Sequence, residues 1–302
     1  MTRGDHGVGG RDDAAGLRSG PVTATLGEVV AALEARYDPA LAESWDAVGL
    51  VCGDPAEPVD RVLFAVDPVA AVVDEAIGTG AGLLVTHHPL FLTAVHGVPA
   101  DDPKGRLVHR LVRAGCGLFV AHTNADRAAD VGVNDALAAA LGLTGTRPLE
   151  PVAPGSRQGL GRVGELPGPT TLAAFAAHAA AVLPATAGGV RAAGDPGRPV
   201  RTVAVCGGSG GSLLPAAAAA GADVLLTSDL RHHPASEAGE AAGPALCDVA
   251  HFASEWPWVP VAAEVLTADL SGRVAVAASR RRTDPWTVHA RAEGDRTAGA
   301  AG

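Results

Sequence analysis

Residues 81–89 read AGLLVTHHP, and residues 117–126 read GLFVAHTNAD. In both, a short apolar run stops abruptly at histidine. Each run follows a segment with helical patterning, AAVVDEAIGTG at 70–80 and KGRLVHRLVRAG at 104–115. The same unit recurs downstream, where LLPAAAAAG leads into ADVLLT and SDLRHH, and ALCDVA leads into HFASE. RVLFAVD at 61–67 and VRTVAVCGG at 200–208 are further runs of this kind. Short apolar runs alternating with helical patterns indicate buried parallel strands covered by helices. Alanine-rich segments at 135–142 and 171–183 supply more of that cover. The expected class is α/β, with mostly parallel strands and a site in the crevice at their C-terminal ends, where open α/β sheets bind ligands.

The 302 residues are 47% hydrophobic, enough for a sizeable core. At roughly 150 residues per domain, two domains are expected. A net charge of −10 and an aromatic content of 3% argue against nucleic acid or an anionic membrane as partner. The lone lysine, Lys104, sits in a turn-like polar stretch and does not suggest Schiff-base chemistry. Cys52, Cys116, Cys206 and Cys247 form no C-x-x-C pair, so buried free thiols are expected rather than a thiolate zinc site. No apolar run approaches the roughly 20 residues of a membrane span, and the N-terminus lacks a signal-peptide core, so a cytoplasmic protein is expected. Residues 1–20 and 280–302 read as disordered tails, with Arg280, Arg281 and Arg282 a solvated basic run. Between them we expect a metal-binding α/β unit of 21–128 plus 246–279. A second α/β unit should cover 129–245, with loops at 151–159 and 188–199.

Seven of the eleven histidines fall at or beside the ends of apolar runs. Adjacent strand residues face opposite ways, so His87 and His88 can share a site only where the strand stops. Pro89 enforces that stop. His122 and Asp126 follow the next run, although Asp126 alone would also read as a helix cap. His251 and Glu255 stand four apart, a spacing that places both on one helical face. Pro257 fits only a first helical turn, so the helix is expected to begin near Ser254, with His251 left at the strand end. A buried Glu255 needs a cationic partner, and no basic residue is near in sequence. Imidazoles and carboxylates without thiolate suit zinc, manganese, iron or cobalt. Five such ligands exceed the needs of one catalytic ion and suit two divalent ions that activate a shared water.

The ordered motifs WDAVGL (45–50), THHPLF (86–91), HTNAD, CGGSGGS (206–212), TSDLRHH (227–233) and HFASE resemble the GTP cyclohydrolase I type 2, or NIF-three-like, family of dinuclear-metal proteins. The match runs from about residue 26 to residue 270. The resemblance implies a two-domain α/β subunit, a ring-shaped homohexamer and two divalent ions per subunit. It implies His87, His88, Asp126, His251 and Glu255 as ligands. Glu255 would bridge the ions, His88 and Asp126 would serve one, and His87 and His251 the other. His122 matches a family histidine near the metals, as proton shuttle or orienting group. Ala47 departs from the family's usual Asn, and residues 148–199 are too short for the insertion of some bacterial members. The implied activity is metal-dependent hydrolysis of a nucleotide-like substrate. A non-enzymatic, metal-binding hexameric scaffold is the alternative.

Two other motifs compete for a role. CGGSGGS formally fits the G-x-S-x-G nucleophile elbow at Ser209, with Asp229 and His251 downstream in triad order. It equally suits an anion cradle or a tight turn. His232 and His233, together with Ser209, are candidate substrate contacts, with helix capping the plainer role for the histidines.

Overall fold

The computed structural model describes residues 23–241 and 243–290. Two sheets carry the fold. The first runs in the order Ala275–Ala278, Arg61–Ala65, Leu83–Thr86, Gly117–Val120, Gly49–Cys52. Its first three pairings are parallel and the last is antiparallel. The second runs in the order Thr144–Pro151, Gly159–Thr171, Pro199–Val205, Val224–Ser228, Ala245–Val249, Val190–Ala193. Here parallel pairing joins only the three strands from Pro199–Val205 to Ala245–Val249. The expected parallel strands therefore fill the first sheet up to one antiparallel edge strand and form the middle of the second, where antiparallel strands flank them. The inner strands Leu83–Thr86, Gly117–Val120 and Val224–Ser228 are buried at every position, which is why they read as unbroken apolar runs.

The recurring helix–turn–strand unit has a physical basis. The helices Ala70–Gly78, Pro103–Arg113 and Leu214–Ala219 each lead to a glycine of φ near +70°, at Gly80 (68°), Gly115 (68°) and Gly221 (72°). That left-handed conformation ends a helix cheaply only at glycine. At the other end, Asp102 starts Pro103–Arg113 by accepting the N–H groups of Lys104 and Gly105.

One apolar core gathers Phe64, Val85, Phe119 and Trp258 around the first sheet, and another gathers Phe175, Val203, Leu226 and Cys247 around the second. The helix Val133–Ala140 joins them, giving Val133 and Ala136 to the first and Leu137 and Ala138 to the second. Three cysteines are buried, Cys52 is half-buried, and all four are free, as expected.

Three expectations need correcting. The strand Ala245–Val249 pairs with Val224–Ser228, so the second unit extends past residue 245, and the chain returns to the first unit only afterwards. The interval 188–199 is not all loop, because Val190–Ala193 pairs with Ala245–Val249. Residues 280–290 are not a free tail. Arg281 pairs with Glu75, and Thr283 donates its hydroxyl hydrogen to Asp67. The other tail residues, 1–20 and 291–302, lie outside the described residues. Among the described residues, no helix is long and apolar enough to cross a membrane.

Candidate metal centre

The strand Leu83–Thr86 ends at Thr86, yet backbone pairing continues for two residues, with His87 N–H donating to Ala65 and His88 N–H to Val66. Thr86 Oγ1 closes the turn on the His88 carbonyl at 2.8 Å. The two imidazoles diverge from this end with ring centroids 5.0 Å apart. The next strand, Gly117–Val120, delivers His122 and the short helix Thr123–Arg127, which carries Asp126 in its first turn. From the second sheet, Ala245–Val249 leads into the helix His251–Glu255.

His251 therefore opens a helix rather than closing a strand, and Pro257 lies outside that helix, next to Trp258–Asp269. The i, i+4 spacing then acts as it does on any helix: His251 Nε2 stands 2.8 Å from Glu255 Oε1. His88 Nε2 is 3.1 Å from Glu255 Oε2, and His87 Nε2 is 3.4 Å from Oε1. Asp126 Oδ1 lies 3.7 Å from His87 Nε2. All five residues implied as ligands thus meet in one place.

The ring nitrogens that face away are each tied down. His87 Nδ1 bonds the Ala121 carbonyl at 2.9 Å, His88 Nδ1 bonds Asp67 at 2.7 Å, His122 Nδ1 bonds Asp46 at 2.8 Å, and His251 Nδ1 bonds Asp229 at 2.6 Å. Such anchors fix ring orientation and raise the basicity of the inward nitrogen. Asp229 achieves its reach with φ of 57°, an uncommon conformation for a residue other than glycine.

The electrostatics are those of a cation site filled by protons. Burial disfavours a charged His88, but Glu255 and Asp67 outweigh it and push its pKa up to about 11. His251 is likewise pushed up to about 9, burial being overcome by Glu255 and Asp229. Burial also opposes ionisation of Glu255, yet His88, His87 and His251 hold its carboxyl well below the usual range. Asp126 is raised by burial, with His87 pulling the other way.

The donor set fits divalent metal. Asp126 Oδ1 and Glu255 Oε2 are buried without a hydrogen-bond partner, which is costly unless something else meets them. His88, His251 and Glu255 offer atoms within 4.8 Å of one another, as do His87, His88 and His122. Glu255 Oε1 faces His251 and His87, its Oε2 faces His88, and Asp126 Oδ1 approaches His87.

Residues 24–285 match the family model Duf34/NIF3 (NGG1p interacting factor 3). The chain belongs to the Duf34/NIF3 family. A Streptomyces coelicolor relative named GTP cyclohydrolase 1 type 2 homolog is 55% identical over 270 residues, covering 87% of this chain and 94% of its own. A crystal structure of a Staphylococcus aureus hypothetical protein matches with a TM-score of 0.80 at 28% identity, covering 88% of this chain and 100% of that one. A Bacillus cereus protein related to NIF3 matches with a TM-score of 0.80 at 25% identity, covering 88% and 99%.

In this Duf34/NIF3 chain the glycine loop backs directly onto the centre. A Cβ on Gly208 would lie 2.6 Å from Glu255 Oε1 and 3.1 Å from His251 Nε2, and its φ is +66°. The N–H groups of Gly207, Gly208 and Gly210 are spent on Asn134, Ser254 and Thr227, which argues against an anion cradle and for a tight structural turn. Ser209 is exposed, and both His251 nitrogens are engaged, by Asp229 and Glu255, so the Asp229–His251 pair serves no serine nucleophile. His232 and His233 meet edge to face, with centroids 5.2 Å apart, at the start of the exposed helix His232–Glu240. His232 lines a neighbouring pocket with Arg191 and Asp248, and neither histidine joins the cluster. Sequence reading missed Asp67, whose signal was its place at the end of RVLFAVD, a strand-end acid like the others. It also missed Thr283, which gave no signal.

Proposed function

We propose that this protein holds two divalent ions through His87, His88, Asp126, His251 and Glu255. We further propose that it is a metal-dependent hydrolase acting on a nucleotide-like substrate such as GTP, as the names of its relatives suggest. One observation carries the reading: His87, His88 and His251, each anchored from outside, turn their inner nitrogens toward Glu255, and Asp126 Oδ1 and Glu255 Oε2 are buried without a hydrogen bond. When bound, a pair of divalent ions supplies Lewis acidity that makes water a nucleophile near neutral pH. The chain's own part is to hold and orient. Glu255 stands between His87, His88 and His251, and this supports a shared ligand. Asp46 fixes His122, leaving its other nitrogen to hold or move a proton beside His87 and His88. A ring-shaped homohexamer and a cytoplasmic location belong to the same proposal, the former read by sedimentation.

The test is elemental analysis of the purified protein, followed by assay against GTP and a phosphoester panel with and without added manganese or zinc. Activity that disappears with chelator and with His88→Ala supports the hydrolase. A metal-loaded but inert protein makes it a metal-binding scaffold.

A further inference from the structure

His88 and His251 form the edge of the centre, and they also line a cavity of about 690 Å³. That size falls within the roughly 300–1,000 Å³ of small-molecule sites. The C-terminal stretch 283–286 also lines it. Thr283 fixes this stretch by its bond to Asp67, the residue that orients His88.

The charges of the cavity say what it receives. Four aspartates line it, Asp67, Asp229, Asp248 and Asp284, together with Arg191 and the histidines His88, His251 and His289. Three of the four are occupied: Asp67 by His88, Asp229 by His251 and Asp248 by Arg191. Asp284 is 8% exposed, and its Oδ2 has no hydrogen-bond partner. A carboxylate this buried needs a donor. Two residues on, Trp286 leaves 71% of its surface exposed while lining the same cavity. Pro285 between them fixes one backbone angle and stiffens the pair. A planar ring with N–H groups on its edge finds an acceptor and a stacking face.

We propose that residues 283–286 are the recognition wall of this cavity and that it takes a planar nitrogen heterocycle with an N–H edge. Asp284 accepts from that edge, and Trp286 packs on the ring. Adjacent lactam and amine donors, as on guanine, match the two acceptor oxygens of one carboxylate. The inference rests on the metal-centre reading for what lies beyond the cavity, but not for the binding itself.

The test is calorimetric titration of the purified, metal-replete protein with guanosine, inosine and 1-methylguanosine, with metal content, turnover and sedimentation measured alongside. Guanosine should bind at least about tenfold more tightly than 1-methylguanosine, which lacks the ring N–H, with inosine between them. Asp284→Asn, which keeps shape, should erase that difference while retaining the metal. Trp286→Ala should weaken all three about tenfold, and Trp286→Phe should restore most of the loss. Guanosine held through Asp284 by a protein that turns nothing over supports this inference and overturns the hydrolase reading. No nucleoside binding, an unchanged guanosine affinity in Asp284→Asn, or a Trp286→Ala variant altered only in its oligomeric state overturns the inference itself.

Discussion

Asp67 Oδ1 lies 2.7 Å from Nδ1 of His88, and the other oxygen of the same carboxylate takes the Thr283 hydroxyl. The bond decides which His88 nitrogen faces the centre. Asp67→Ala should therefore lower metal affinity by about 10–100-fold, the usual effect of losing such an anchor. Thr283→Val should lower it less, and Thr283→Ser should restore it. Competition against a chelating dye reads all three, and an Asp67→Ala protein with native affinity would remove the anchor from the account.

The pKa shifts predict opposite pH trends for metal-free and metal-loaded protein. The raised pKa values of His88 and His251 contribute stability that is complete below their unfolded value of 6.5 and is lost as pH rises toward about 9 and about 11. The lowered pKa of Glu255 contributes stability that is present above 4.5 and is lost as pH falls below it. Metal-free protein should be most stable between those two values, and its Tm should fall from pH 6.5 to pH 9. Metal must displace the histidine protons, so affinity should rise over the same interval and proton release should appear in calorimetry across buffers of different ionisation heat. A Tm gain from metal that shrinks with rising pH would contradict this.

The inner strands were legible because burial on both faces writes itself as an unbroken apolar run, and the clustered site residues because each such run stops at imidazole or acid. Antiparallel edges were harder to see. Val190–Ala193 pairs only through its backbone along one side and is mostly exposed, so it carries no apolar signature. The helix at His251 was hidden by Pro257, read as one helix's start when a short helix precedes it. The docking of 280–290 left no local trace. It depends on Glu75 and Asp67, roughly two hundred residues earlier, and a polar stretch with distant partners looks the same as a solvated one.

Gly208 should tolerate no side chain. Its left-handed φ costs another residue about 1–3 kcal/mol, and a Cβ would stand 2.6 Å from Glu255 Oε1. Gly208→Ala should lower Tm and reduce bound metal together, because the displaced group is a proposed ligand. Gly221→Ala, with φ of +72° and open space around it, should lower Tm alone. Equal metal content in the two variants would separate the loop from the centre.

Glu255→Gln separates charge from packing at the same position. The amide fills the space of the carboxylate but cannot balance the imidazoles of His87, His88 and His251. In metal-free protein near pH 6 those rings are charged in the native state, and removing one partner of a buried ion pair costs about 3–5 kcal/mol. Above pH 9, His251 no longer carries its proton, so the loss should shrink there. Urea unfolding at the two pH values reads the difference, and elemental analysis should show bound metal depleted. A destabilisation of the same size at both pH values would mean that Glu255 holds the site by shape, and the electrostatic account of the centre would fail.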